Sequence, residues 1–438
     1  MHRIGYVQKR ALVAGLAVLG IDPGKEKHVG QLLNPEGLPL GKAFTVPVSH
    51  AGYTETLWKE LATRLPAHDP AHLVIAIETA CNLWNTLAAY LHDQGYTVLL
   101  VSPLTTHHAR PLHNHDFSRT DPRDAFLIAE QAYRGHFDAY RVFDDQLETM
   151  HQLSLAYYKL AKDKQRVRQR LRSLMEMYFP EYLQAFDLES KTSLYLLERA
   201  FLPHHFLEMD LQTEARQIGA RSRQKHGLKT LQRLQAWAAT SIGVPARPRE
   251  EALRLVLDGW LAELRTLHAQ IAQLQKVLIQ QAQSLPVFQI LVSIPNLAPW
   301  LVALFIAECR GLDANTHYKQ IEKFAGTNLR LADSGNYNGP RRISRLGNRR
   351  LRKVLFQMTV QTAKVVPQVR RRFLQRQLQK GAYRKSIIAA SSQLLRLIHA
   401  LIKENRIYQP VRKWNRQLAP LEKAYAEKKA AAKRRAAA

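Results

Sequence analysis

Apolar positions fall into several regimes along the chain. From residue 16 to 101 they come as short runs. Leu16-Ala17-Val18-Leu19-Gly20-Ile21 ends in Asp22-Pro23-Gly24-Lys25, which predicts a buried strand whose last residue, Asp22, points out of the strand end into a turn. Strands near His28–Leu33 and Ala43–Val48 follow at hairpin spacing around Asn34-Pro35-Glu36-Gly37, an antiparallel meander. Leu73–Ile77, with Glu78 at its carboxyl end, predicts a fourth strand and Thr97–Val101 a fifth. Helical stretches near 51–64 and 82–94 separate them. The result is a mixed α/β sheet, in which ligands are expected at the carboxyl ends of the strands.

The period then changes. Met150, Leu153, Tyr157, Leu160, Val167, Leu171, Leu174 and Tyr178 alternate by threes and fours, broken at Lys164; Leu253, Leu257, Trp260, Leu264, Leu267, Ile271, Leu274 and Leu278 do so without a break. Sustained heptads predict coiled coil and association of subunits, or else two stripes packed on each other as an intramolecular antiparallel hairpin. Pro180 ends the first stripe, Pro245 and Pro248 precede the second, and residues 181–248 between them read as a helical insert. A mainly helical segment follows, and Glu422–Ala438, rich in Ala, Lys and Arg, predicts a frayed helix or disordered tail. The partition expected is 1–140, 141–284, 285–415 and 416–438, α/β followed by all-α.

Charge narrows the partner. With 64 Lys+Arg against 36 Asp+Glu, a formal +28, the chain calls for a polyanion, nucleic acid before membrane. Arg341, Arg342, Arg345, Arg349, Arg350, Arg352 and Lys353 crowd one stretch around Gly347-Asn348, and Arg370–Arg372 with Arg376, Lys380, Arg384 and Lys385 form another. The first cluster is expected to contact phosphates; the second reads in large part as a charged helix face. Two cysteines, Cys81 and Cys309, give neither a metal spacing nor a disulfide framework and fit a reducing cytoplasm. The basic residues 1–10 and apolar residues 11–21 imitate a signal peptide but run into Asp22 without a cleavage site.

Against this basic background the acids stand out. Asp121 and Asp124, in Ser118-Arg119-Thr120-Asp121-Pro122-Arg123-Asp124-Ala125, begin a predicted helix three residues apart, about 60° around its surface and roughly 5–6 Å between Cβ atoms. Each acid alone reads more simply, Asp121 as a helix cap before Pro122 and Asp22 or Glu78 as a turn or cap residue. Four carboxylates brought together repel by about 1 kcal/mol per pair at 4 Å in water and about 4 kcal/mol at an effective dielectric of 20. A divalent cation is the usual remedy.

A strand ending IDPGK, a strand ending IET and an RTDPRDA helix start resemble the ribonuclease-H-like, RuvC-type domain of the DEDD transposases of bacterial insertion sequences associated with a bridge RNA. Phe324-Ala325-Gly326, then Ser334-Gly335, then Arg345-Leu346-Gly347-Asn348-Arg349-Arg350-Leu351-Arg352 are similar to that family's second domain. The resemblance covers about residues 15–140 and 285–410. It implies Asp22, Glu78, Asp121 and Asp124 as a metal-binding tetrad for Mg²⁺, or Mn²⁺, and Ser334 as nucleophile forming a 5′-phosphoserine link. It further implies element ends and target DNA as substrates, a bridge RNA and a dimer or tetramer, with nucleic-acid contacts from Arg341, Arg342, Arg345, Asn348, Arg349, Arg350, Arg352 and Lys353. Where members carry IPGIGP, this chain has Ile294-Pro295-Asn296-Leu297-Ala298-Pro299, which predicts loss of a left-handed turn that glycine favours. Two other readings remain: a junction nuclease using water on the same metal, with Ser334 a turn residue, and a nucleic-acid-binding scaffold without catalysis.

Overall fold

The computed structural model describes residues 5–80, 82–112, 120–313, 315–330, 333–334, 337–339 and 342–437. Two compact units divide at Phe143/Asp144.

In the first unit, helix α1 (Tyr6–Val13) leads into β1 (Ala17–Pro23), β2 (Lys27–Leu33), β3 (Phe44–Pro47), a π-helical turn (Gly52–Thr56), α2 (Leu57–Ala62), β4 (Leu73–Glu78), α3 (Leu83–Asp93), β5 (Thr97–Val101), α4 (Pro103–Ala109), α5 (Asp121–Tyr133) and β6 (Asp138–Ala139). The six strands form one sheet in the order β3-β2-β1-β4-β5-β6. The β1–β2–β3 meander is antiparallel, β4 and β5 run parallel to β1, and the two-residue β6, which the hydrophobic pattern does not announce, returns antiparallel to β5.

Side-chain alternation places the acids. Because successive residues of a strand face opposite sides, Leu19, Ile21, Ile75 and Ile77 pack with Leu57, Leu61, Leu87 and Leu91. Val18, Val74 and Ala76 pack on the other face with Ile128, Ala129 and Ala132 of α5. Asp22 and Glu78 belong by parity to the α5 face. Gly20 lets α5 sit this close: a Cβ there would lie 2.3 Å from the Ala125 carbonyl oxygen and 2.5 Å from the Ala129 nitrogen. The register Ile21↔Ile77 makes Asp22 and Glu78 the next residues along two neighbouring strands. Asp22 is still paired, with Val29, inside β1, so it faces the helix instead of leaving the strand end.

The second unit contains two long helices, α6 (Asp145–Tyr178) and α12 (Glu250–Ala282), with α7 (Tyr182–Ala185), α8 (Lys191–Leu197), α9 (Pro203–Leu207), α10 (Leu211–Ser222) and α11 (Leu228–Ala239) between them. The two heptad stripes face each other within one chain. Gln146 Nε2 at the start of α6 donates to the Gln281 carbonyl (2.5 Å) and Ser284 Oγ (2.7 Å) at the end of α12, and Arg170 meets Glu263 at 3.4 Å, so the pair is antiparallel. Leu257, Leu264 and Leu278 are buried in this contact and the cores flanking it. The intramolecular hairpin thus takes up most of both stripes, while Ile271 and Leu274 in the middle of α12 stay half-buried outside the two cores. Lys164, the break in the first stripe, pairs with Glu189 of the insert at 2.7 Å. Around it Phe179, Tyr182, Phe201 and Phe206 build a core with Val167, Leu171, Leu257 and Leu264. Leu264→Ala is expected to lower unfolding stability by about 2–5 kcal/mol without changing the sedimentation coefficient of the folded protein. A dissociated but equally stable variant would restore the intersubunit role.

The remainder is α13 (Pro286–Val292), α14 (Pro299–Cys309), α15 (Tyr318–Ala325), the short strands β7 (Leu329–Arg330), β8 (Asp333–Ser334), β9 (Tyr337–Asn338) and β10 (Arg342–Ile343), then α16 (Arg349–Thr362), α17 (Pro367–Lys380), α18 (Tyr383–Lys403) and α19 (Arg412–Ala437). Helix α14 is buried from Leu301 to Cys309. The expected loose tail is docked helix instead: Glu422 pairs with Arg370 at 2.7 Å, Lys428 Nζ donates to the Gln377 carbonyl at 2.7 Å, and Leu418, Leu421 and Tyr425 pack on the core. Asn296 takes φ 60°, so the turn expected to be lost without glycine is kept by a residue that tolerates the left-handed region. Its Nδ2 donates to the Gln361 carbonyl at 2.9 Å. Among the described residues no helix is long and apolar enough to cross a membrane.

Candidate metal and nucleophile sites

Asp121 and Asp124 occupy the first turn of α5, with Thr120 at the cap position. Asp121 is thus not the cap its place before Pro122 suggests, and Glu78 ends β4 well before Asn82, which caps α3. The Asp22 carboxyl is pushed up to about 6, first by burial and then by the charges of Glu78, Asp124 and Asp121, against which Arg110 acts. These groups therefore share one field. Glu78 is buried and accepts a hydrogen bond from Thr106 Oγ1. Asp124 receives both arms of Arg110, Nε to Oδ1 and Nη2 to Oδ2, each at 2.9 Å.

Thr106 and Arg110 are missed by the sequence reading. Ser102-Pro103 announces their helix, and Arg110 follows Thr106 by one turn, yet nothing in the pattern says that this turn faces the acids. Ser118 and Arg119 lie outside the described residues.

The donor set is all hard oxygen, four carboxylates with one guanidinium, which suits a divalent cation such as Mg²⁺. No three of their oxygens lie within 4.8 Å of one another, and Asp124 is engaged by Arg110. The chemistry of the four carboxylates fits such an ion, while their spacing in this structure does not yet close around one. The group among the described residues that does meet this spacing is His204, His205 and Glu250 in the second unit. There His205 Nδ1 accepts from the backbone N–H groups of Phe201 and Leu202 at 3.3 Å, so its Nε2 carries the proton and donates to Glu250 Oε1 at 2.7 Å. That nitrogen has no lone pair for a metal, and the trio is a hydrogen-bonded clamp at the start of α12.

A carboxyl raised from 3.8 to about 6 favours its protonated form in the folded state, so its contribution to stability grows as pH falls through 6 and is lost above it. Asp22→Asn is accordingly expected to raise the melting temperature at pH 7.5 in EDTA, with the gain fading as pH is lowered through 6. A lower melting temperature at pH 7.5 contradicts the crowding of charge around Asp22.

Ser334 belongs to the second unit. Its backbone pairs with Tyr337, Asp333 pairs with Asn338, and below them Arg330 pairs with Arg342. The four short strands thus form two antiparallel pairs, an arm between α15 and α16. The flanking motif anchors that arm. Gly326 ends α15 at φ 67°, where a Cβ would lie 2.6 Å from the Leu346 carbonyl oxygen; at Gly347, φ 133°, a Cβ would lie 2.2 Å from the Phe324 carbonyl oxygen. The end of α15 and the Arg345–Gly347 turn touch backbone to backbone, and only glycine permits it.

The basic cluster divides. Asn348 caps α16, accepting from the Arg350 and Leu351 N–H groups at 2.9 and 3.0 Å, and donates to Glu308 Oε2 at 2.7 Å. Arg350 Nε donates to Glu308 Oε1 at 2.8 Å, where Ser154 also donates at 2.7 Å. Glu308 is 1% exposed, and an unpaired charge there would cost several kcal/mol. Arg352 donates to the Ala325 carbonyl at 2.7 Å, and Lys353 lies 5.4 Å over the Tyr158 ring. Asn348, Arg350 and Arg352 thus have partners inside the protein, while Lys353 is exposed beside its ring. Arg342, Arg345 and Arg349 are exposed; Arg341 lies outside the described residues.

Comparison with known proteins finds two family models that match this chain. Residues 19–180 match the DEDD transposase family model of the IS110 type, and residues 288–375 match the model of the transposase IS116/IS110/IS902 family; together they span more than half of the chain. A "Mini-circle putative transposase for IS117" of Streptomyces coelicolor is 28% identical over 171 residues, 38% of this chain and 40% of that protein.

Proposed function

The chain belongs to the IS110 family of insertion-sequence transposases, and from that premise we propose that it cuts and rejoins DNA through Ser334 with help from a divalent cation. The observation that carries the reading is the gathering of Asp22, Glu78, Asp121 and Asp124 on the α5 face, with the Asp22 carboxyl raised to about 6 by the others and by burial. Mg²⁺ held by these carboxylates, with Mn²⁺ as the alternative, supplies polarisation of the scissile phosphate and stabilisation of the attacking and leaving oxygens. Asp22, Glu78, Asp121 and Asp124 would hold the ion, for which Asp124 would have to leave Arg110.

An unaided serine hydroxyl is a weak nucleophile, so Ser334 and the acids must meet in the working assembly, a dimer or tetramer. The Ser334 oxygen attacks phosphorus, the bond to the 3′ oxygen breaks, and that oxygen leaves with a proton. The 5′ phosphate stays on the serine. Reversal by a new 3′-hydroxyl rejoins DNA without external energy, because the ester to protein conserves the phosphodiester. The arm carrying Ser334 starts and ends at the close backbone contacts of Gly326 and Gly347, while exposed Arg342, Arg345 and Arg349 hold flanking phosphates. A structured bridge RNA selects the DNA by base pairing while the protein reads RNA shape and backbone.

The test is purified protein incubated with Mg²⁺ and DNA carrying its element junction, with and without the RNA. Protein-linked DNA that EDTA prevents supports the reading. Cleavage with no protein-linked product returns the chain to the water-using nuclease, and absence of any metal-dependent cleavage to the scaffold.

A further inference from the structure

We infer that a cleft between α17 and α18 is a second nucleic-acid site that grips the sugar–phosphate backbone. The inference goes beyond the cutting site but rests on the reading that nucleic acid is the substrate. The cleft has a volume of about 370 Å³, inside the range of about 300–1,000 Å³ usual for ligand pockets. It is too small for a duplex and suits a nucleotide or two of backbone.

Both walls follow the same helical rule. On α17, Gln368, Arg371, Arg372 and Gln375 recur at i, i+3, i+4 and i+7; on α18, Ala389, Ser392, Gln393 and Arg396 do the same. That spacing marks the inward stripe of an amphipathic helix, yet here, Ala389 apart, it is polar and faces a cleft. The apolar stripes beside it, Phe373 and Leu374 on one helix and Ile387, Ala390 and Leu394 on the other, are buried in the core.

The charge in the cleft is uncompensated. No acidic residue lines it among the described residues. Neighbouring Arg370 shows the alternative: its guanidinium is spent on Glu422 at 2.7 and 2.9 Å. Arg371 and Arg396 are steadied by rings, Trp414 at 5.6 Å and Tyr318 at 5.2 Å, which fixes a guanidinium without using up its N–H donors. Three arginines in one cleft repel unless an anion enters, and Ser392, Gln375 and Gln393 add hydrogen-bond partners of the kind that contact phosphate and sugar oxygens. In this reading Arg371 and Arg372, which the sequence presents as part of a charged helix face, line the cleft together with Arg396.

The experiment measures the salt dependence of binding to three 30-nucleotide probes, single-stranded RNA, single-stranded DNA and duplex DNA. It compares wild-type protein, Arg371→Gln/Arg372→Gln/Arg396→Gln, and the charge-matched Lys364→Gln/Arg384→Gln/Lys385→Gln on exposed positions outside the cleft. For every phosphate that is no longer neutralised, the plot of log K against log salt flattens by about 0.7 on single strands and about 0.9 on duplex. The cleft variant is expected to flatten it by one or two such phosphates more than the matched control on at least one probe, and that probe identifies RNA or DNA as the source. The three residues are half-buried or exposed, and an unchanged melting temperature shows that the fold is intact. Equal flattening in both variants, or none in the cleft variant, overturns the site while wild-type binding leaves the proposed function standing. Failure of wild-type protein to bind any probe overturns both.

Discussion

Asp121→Asn is expected to reduce metal-dependent strand cleavage by about a hundredfold to a thousandfold, the scale on which loss of one preorganised electrostatic group acts, with nucleic-acid binding and melting temperature close to wild type. Asp121 is exposed in the first turn of α5, and its charge acts on the fold only through the crowding at Asp22, so its loss does not destabilise. Asp124→Asn is expected to lose cleavage to the same degree but also stability. Arg110 is 9% exposed and has its bidentate partner in Asp124; Glu78 and Asp22 still face it, so the loss is that of charge-assisted hydrogen bonds, about 1.5–3 kcal/mol. Cleavage assays on the two variants beside thermal unfolding separate the roles. Robust cleavage by Asp121→Asn removes the tetrad from the chemistry, and an unchanged melting temperature for Asp124→Asn shows that Arg110 does not depend on it.

The sequence makes the α/β unit legible because its strands are buried on both faces and bounded by turn residues, so the runs at 17–21 and 73–77 announce themselves. Parity does the rest: Asp22 and Glu78 fall on the face opposite Leu19, Ile21, Ile75 and Ile77, and a helix beginning at Asp121 must cover one face. Gly20 carries part of this information, since only a missing Cβ lets α5 sit on β1. Arg110 is illegible because a guanidinium that neutralises Asp124 from fourteen residues away has no periodic signature.

The long helices show the opposite case. Two heptad stripes are plain in the sequence, but a stripe says only that something apolar covers it, and the antiparallel contact from Gln146 to Gln281 is a matter of tertiary choice. The RLGN stretch holds a tertiary contact of the same kind. Arg350 and Asn348 resemble phosphate contacts until buried Glu308 is found between them. Glu308 itself, an acid in an otherwise apolar helix from Leu301 to Cys309, is the signal in the sequence that a basic partner has to come from elsewhere.

Ser334→Ala is expected to abolish the covalent DNA adduct, a fall of at least about a thousandfold given what loss of a nucleophile does to turnover. Assembly, RNA and DNA binding and melting temperature should be unchanged. The backbone pairing of Ser334 with Tyr337 does not use the hydroxyl, so the arm survives the substitution. Two serines of the same unit serve as controls because their oxygens are already engaged. Ser344 Oγ donates to Asn328 Oδ1 at 2.7 Å, and Ser293 Oγ donates to the Ile290 carbonyl at 2.6 Å while accepting from the Tyr408 N–H at 2.8 Å. A hydroxyl held in this way is a poor candidate for attack on phosphorus, and Ser344→Ala or Ser293→Ala should leave adduct formation intact. Peptide mapping of the protein–DNA product by mass spectrometry reads the outcome directly. A phosphodiester on Ser334, lost in the alanine variant, establishes the serine step. A phosphodiester on Ser344, or strand cleavage that persists in Ser334→Ala with no protein-linked DNA, assigns the chemistry to another residue or to water at the same carboxylates.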